Sequence, residues 1–195
     1  MSTLPLYTVY TFVSEYTPYT SSMASLTRPA VLAAALELAD DVGLERTSLR
    51  AVAQRLGVTP MALYRHVESK EDLLDGMADV VYGRLHLPGR TGSWWDELAA
   101  LARSTRSVLL AHPAAVPLLA RAPTGPNGLA LDDALRGVLL RAGFSRAEAA
   151  ELHDQLSGMV FALVAPELRG RPNRAAFERG IELLRAGLEA RLDRR

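Results

Sequence analysis

Within the 195 residues, one stretch, LRAVAQRLGVTPMALYRHVESKEDLL from Leu49 to Leu74, leaves the backbone few options. Leu49, Val52, Ala53 and Leu56 recur at i, i+3, i+4 and i+7, one buried helical stripe, with Arg50, Gln54 and Arg55 on the wet side. Gly57 follows the last apolar residue, where a left-handed conformation past the helix end costs glycine little. Val58 plugs the corner and Thr59 stands at an N-cap. Pro60 takes the first helical position, where its missing N–H is not needed. A second helix is therefore expected from Pro60 to Val67. Leu63 and Val67 point inward, leaving Met61, Ala62, Tyr64, Arg65 and His66 on the remaining faces. Ser69 and Asp72, three apart, make a capping-box pattern for a third helix.

Two short helices joined at a glycine corner make a helix-turn-helix, whose second helix can enter a DNA major groove. Charge agrees with this. From residue 46 to 70, Arg46, Arg50, Arg55, Arg65 and Lys70 face a single acid, Glu68, whereas residues 28–45 set four acids against Arg28. A net charge of zero over the chain thus hides a local basic face, which is all that phosphate attraction requires. Upstream, Thr27, Arg28 and Pro29 read as a helix start, and Val31, Ala35, Leu38 and Val42 as an inward stripe ending near Gly43. Leu32, Leu36 and Leu44 complete the expected core of a three-helix unit.

Beyond Ala78 the pattern stays helical, so the chain is expected to be all-α, with a helix-turn-helix DNA-binding domain at 26–72 and a second helical domain at 73–195. Breaks fall at Pro88–Gly92, at His112 and Pro113, in a loop from Pro123 to Gly128, at Gly143, and from Gly170 to Asn173. Ser93 with Asp96, and Ser145 with Glu148, are further capping boxes, the second opening a helix that runs to about Ala165. Residues 1–25 are rich in Tyr, Thr and Ser, carry one charge, Glu15, and show no helical period. A disordered arm is expected there, with Met23 as an alternative start. It lacks the basic and uninterrupted apolar regions of a signal peptide.

The last two long helices are the expected dimer surface. Phe177, Ile181, Leu184 and Leu188 step by four, three and four, while Leu152, Leu156, Met159, Val160 and Leu163 give the preceding helix a broad apolar side that Ser157 and Gly158 open to close approach. The competing reading is that both stripes only close the monomer's own core. A homodimer is expected in any case, because helix-turn-helix proteins gain affinity and register from two half-sites.

There is no cysteine, hence no disulfide framework and no thiolate metal site. No apolar run reaches the length of a membrane span, and a cytoplasmic protein is expected. With four histidines and no zinc-protease, nucleophile-elbow or phosphate-loop motif, the chain presents no catalytic constellation. His153 and Asp154 are expected to project in different directions as helix neighbours. Neither a metal nor a cofactor is expected.

LGVTPMALYRHVESKEDLLDGMA resembles the DNA-binding signature of the TetR family, nearest its tetracycline-repressor class, in LGV, in LY-x-HV and in a lysine opening a helix with LLD. FERGIELLRAGLEARL is similar to the family's dimerisation stretch. The resemblance implies a ligand-responsive regulator, a repressor that binds a palindromic DNA operator as a homodimer and is released by a small molecule, with 73–195 as its helical ligand-binding and dimerisation domain. The alternative is a helical interaction module without DNA binding. By the same resemblance Tyr64, His66 and Lys70 lie against DNA, and Thr59, Pro60, Met61, Ala62 and Arg65 read bases. Ser48 and Arg50 join them from the preceding helix. Arg65 is the candidate for guanine, and Met61 and Ala62 for thymine methyls. Lys70 is the chain's only lysine.

For the effector, the candidate contacts are His86, Trp95, Thr105, His112, Arg121 and His153, polar or aromatic groups among many Ala and Leu. His86 stands where the class has a drug-contacting histidine. Ala114 to Arg121 contains no counterpart of its magnesium-chelate histidine, and Leu101 and Thr105 stand where it has a drug-contacting Asn and Phe, so a tetracycline-magnesium chelate is disfavoured.

Overall fold

The computed structural model describes residues 26–86 and 93–194, and the expected arm and the Pro88–Gly92 break lie outside them. Among the described residues the regular structure is helical throughout. Helix α1 (Arg28–Val42) starts where the Thr27 hydroxyl accepts from Ala30 N–H and ends at Gly43. A 3₁₀ turn (Leu44–Arg46) leads to α2 (Leu49–Leu56), capped by Ser48. Then come α3 (Pro60–Leu63) and α4 (Lys70–Tyr82). Val31, Leu36, Val52, Leu63, Val67, Leu73 and Met77 are all fully buried and form the core of this unit. At Gly76 an added Cβ would stand 2.6 Å from Leu32 Cδ2, so α1 and α4 approach as closely as they do because no side chain intervenes.

Helices α5 (Trp94–Ala111), α6 (Val116–Leu119), α7 (Pro126–Ala142), α8 (Arg146–Leu168) and α9 (Arg174–Leu192) build the second domain, with α5 packed on α7, α8 and α9. Ion pairs cross-link it: Arg106 to Glu167 at 2.6 Å, Arg141 to the buried Glu97 at 2.6 Å, and Arg103 to Glu178 at 2.9 Å. The two domains share one continuous core, since α4 also packs on α6 and α7.

Several boundaries depart from expectation. Thr59 caps nothing with its hydroxyl; its backbone carbonyl takes Ala62 N–H at 3.0 Å and tightens the first turn of α3. That helix ends at Leu63, whose carbonyl accepts from both His66 and Val67 N–H and closes the segment as a turn. Helix α4 already ends at Tyr82. Helix α7 starts at Pro126, inside the expected loop, because the Asp79 carboxylate accepts from Asn127 N–H (2.9 Å) and Gly128 N–H (3.1 Å), capping it from another helix. Helix α8 runs on to Leu168, with Pro166 inside it.

The largest correction concerns the expected dimer seam. Phe177, Ile181, Leu188 and Leu152 are buried within the single chain, each at most 5% exposed, and Leu156 and Leu184 are half-buried. The apolar stripe of α9 therefore closes the monomer's core, which is the competing reading. Of the seven residues assigned to a partner, only Met159 lies exposed. Phe177→Ala is expected to destabilise the fold by about 3–5 kcal/mol through the cavity it leaves. Leu129→Ala, at a 49% exposed position of α7, is expected to cost far less, about 0.5 kcal/mol. Urea midpoints of the two variants check the contrast.

Candidate nucleic-acid interface and the cavity behind it

The corner between α2 and α3 follows its local signals. Gly57 adopts φ +66°, its N–H turns back onto the end of α2, and Val58 N–H reaches Ala53 O at 3.0 Å. With Val52, Ala53, Leu63 and Val67 buried, the opposite face is presented outward. Met61 is 73% and Tyr64 51% exposed, and Ser48, Arg50, Thr59, Pro60 and Arg65 are exposed as well. Ala62, His66 and Lys70 are half-buried, so none of the ten candidate DNA contacts is sealed inside.

The basic face is narrower than the residue count implies. Arg55 is held by Asp41 at 2.6 Å and Glu37 at 3.6 Å on α1, and Arg46 donates to Val42 O at 2.7 Å. Lys70 turns inward: its ammonium donates to the carbonyl of Thr47 and lies 3.4 Å from that of Leu44, and burial lowers its pKa. It therefore ties the start of α4 to the 3₁₀ turn and to the residue before the α2 cap. Among the described residues, Arg46, Arg50 and Arg65 enter no ion pair, and their charge on this surface is not answered by an acid.

What fixes the far end of the exposed segment is a pair that no local pattern announces. Arg28 donates to the backbone carbonyl of His66 at 2.6 Å and grips Asp72 through two bonds of 2.9 and 2.5 Å. Asp72 also accepts from Glu68 N–H at 2.8 Å, so its carboxylate serves this clamp, and only the Ser69 half of the expected capping box forms. The hydrogen-bonded Arg28 guanidinium holds the Asp72 carboxyl below its ordinary range. The only sequence signal was an arginine at a helix start and an acid in the first turn of another helix.

Behind this unit lies a cavity of about 650 Å³ lined by α5, α7, α8 and α9, the end of α4 and the segment after α6. Trp95, Thr105, Arg121 and His153 line it, as expected, and so do Leu156, Ile181 and Leu184 from the supposed dimer seam. His86 and His112 do not. His86 is exposed, its backbone N–H bonded to Ser104 Oγ at 2.8 Å. His112 lies between the domains, its Nδ1 2.6 Å from Asp40 Oδ2 and its Nε2 against Arg84. His153 and Asp154, expected to diverge, meet at 3.1 Å, while the other nitrogen of His153 lies 2.6 Å from Asp132 of α7. Burial first, and then the Asp132 charge, push the Tyr82 phenol up and keep it a neutral hydroxyl in the wall. Arg121 leaves the cavity wall to reach Glu71 (2.7 Å) and Asp75 (2.8 Å) on α4.

Comparisons with known proteins cover both halves of the chain. Residues 31–77 match the model of the bacterial regulatory proteins of the tetR family, and residues 87–191 match the tetracyclin repressor-like C-terminal domain. An HTH-type transcriptional regulator of Saccharopolyspora erythraea is 38% identical over 144 residues, covering 73% of this chain and 61% of that protein. The chain thus spans less than two thirds of that relative's length. ActR of Streptomyces coelicolor, solved in complex with actinorhodin, has a TM-score of 0.72 at 27% identity, covering 86% of this chain and 98% of its own. BioQ, a Mycobacterium smegmatis protein solved with its double-stranded DNA operator, has a TM-score of 0.70 at 27% identity, covering 85% of this chain and 99% of its own. With both halves matched, the chain belongs to the TetR family of bacterial regulatory proteins.

Proposed function

We propose that this chain is a transcriptional repressor, not an enzyme, that acts in the cytoplasm as a homodimer on an operator and lets go when a small molecule fills its cavity. One observation carries the DNA half: the segment from Pro60 to His66 stands outward on a buried scaffold, clamped at its far end by Arg28 and Asp72. Tyr64 and Arg65 on that rod, with Arg50 beside it, reach a major groove and its phosphates. Lys70, tied to backbone carbonyls, acts as an internal brace. BioQ with its operator supports the DNA reading, and ActR with actinorhodin the ligand reading. None of the described helices is long and apolar enough to cross a membrane.

Release requires a ligand that favours the state with the wrong half-site spacing, since equal binding to both states shifts nothing. The route is short. Arg121 touches the cavity and holds α4 through Glu71 and Asp75, and α4 carries Asp72 of the clamp. The buried Nε of Arg121 has no acceptor, which leaves this latch under-satisfied.

For the partner surface, α8 and α9 use their outward faces. Met159 and Leu183 are the large exposed apolar residues there, set among exposed Gly158, Ala162, Ala186 and Gly187 that let another backbone approach. Leu183→Glu is expected to keep the monomer's melting temperature within the spread of surface variants while converting dimer to monomer in analytical ultracentrifugation. A variant that stays dimeric places the interface elsewhere. In mobility shifts on DNA flanking its own gene, log affinity is expected to fall linearly with log salt, and a chain that forms no complex at low salt is not a repressor. Arg65→Ala is expected to cost about 1–3 kcal/mol, confined to one base-pair position. Equal loss on unrelated sequences would make Arg65 a phosphate contact.

A further inference from the structure

We propose that the cavity takes an uncharged, largely apolar molecule whose single polar end, a hydroxyl or carbonyl, rests on the Asp132–His153 pair; this builds on the reading of the cavity as the effector site. The charged groups of the wall, Arg121 apart, are gathered, not scattered. Asp132, Arg136, His153 and Asp154 collect where α7 faces α8, while Leu98, Leu101, Leu119, Leu131 and Phe161 line much of the remainder. Within the polar end each charge is answered. His153 Nε2 lies 2.6 Å from Asp132 Oδ1, Arg136 Nη2 lies 2.7 Å from Asp132 Oδ2, and His153 Nδ1 lies 3.1 Å from Asp154 Oδ1. Arg136 thus answers Asp132, and Asp154, 89% exposed, keeps its water. Across the cavity Arg121 is engaged by Glu71 and Asp75.

A charged head entering this wall must give up water; at the polar end it must break a formed pair to gain a partner, and at Arg121 the open Nε–H offers an anion one bond beside two carboxylates that already hold the guanidinium. A hydroxyl or carbonyl loses far less on leaving water and needs one bond, which the Asp132 lone pairs or an imidazole N–H can share. The apolar remainder of the wall then covers the body of the ligand.

The test titrates the full chain with N-phenyl-1-naphthylamine, an uncharged dye that brightens on leaving water. It is then displaced with 1-decanol, decanoate and decylammonium, which share one tail and differ in the head. 1-Decanol is expected to compete at least about tenfold more strongly than either ion. Asp132→Asn leaves Arg136 unanswered, and decanoate is then expected to gain about tenfold on 1-decanol while decylammonium does not. Arg136→Gln, at a more exposed position, moves the ranking toward decylammonium and serves should the first variant fail to fold. An ion that matches 1-decanol on the unsubstituted chain overturns the proposal, as does a ranking that neither variant alters. Dye that stays dim, or brightening that survives filling the cavity with Ala102→Phe, overturns the cavity as the effector site instead.

Discussion

Three aspartates one turn apart on α4, Asp72, Asp75 and Asp79, hold the two halves of this molecule in register. At i, i+3 and i+7 they share a face of the helix, and each takes a different partner. Asp72 grips Arg28 and so steadies the end of the outward segment from Pro60 to His66; Asp75, with Glu71, takes Arg121 from the cavity wall; Asp79 caps the start of α7. The opposite face buries Leu73, Met77 and Val81, and at Gly76 it meets α1. A helix fixed apolar on one side and by separate polar bonds on the other moves as a unit. Asp40 on α1, bonded to His112 and to the N–H of Ala114, is a second tie between the domains.

The apolar stripe of α9 shows how little a hydrophobic period says about its partner. Phe177, Ile181, Leu184 and Leu188 have the spacing of a helix-pair seam, and burial within one chain satisfies it as well as a second chain does. Here they close the core and the cavity floor. That leaves Leu183 and Met159, with small residues around them, as the outward face available to another copy. The charge count met a similar fate: Arg55 and Lys70 look free in a residue list, yet acids 14 and 18 positions upstream and carbonyls 23 and 26 positions upstream occupy them.

The polar residues of the second domain divide the same way. Trp95, Thr105, Arg121 and His153 were recognisable as wall candidates because they interrupt runs of Ala and Leu. His86 and His112 interrupt those runs equally well and lie elsewhere, since an interruption marks a polar requirement without saying whether a ligand or another helix meets it. For His112 the answer is Asp40, 72 positions away.

By itself the sequence determined the all-helical class, the glycine corner at Gly57, the start of α3 at Pro60, the caps at Thr27, Ser69, Ser93 and Ser145, and the outward placement of Tyr64 and Arg65. Each of these is settled within a turn or two of chain, by φ preference, a missing N–H or an i to i+3 bond, so neighbouring residues contain the whole cause. The tertiary structure alone decided that Asp72 serves Arg28, that Asp79 starts α7, that His153 pairs with Asp132, and that α9 turns its stripe inward. Those bonds join residues from separate helices, 21 to 48 positions apart where they are polar, and only the packing of helix on helix chooses among the acids and bases that were equally available.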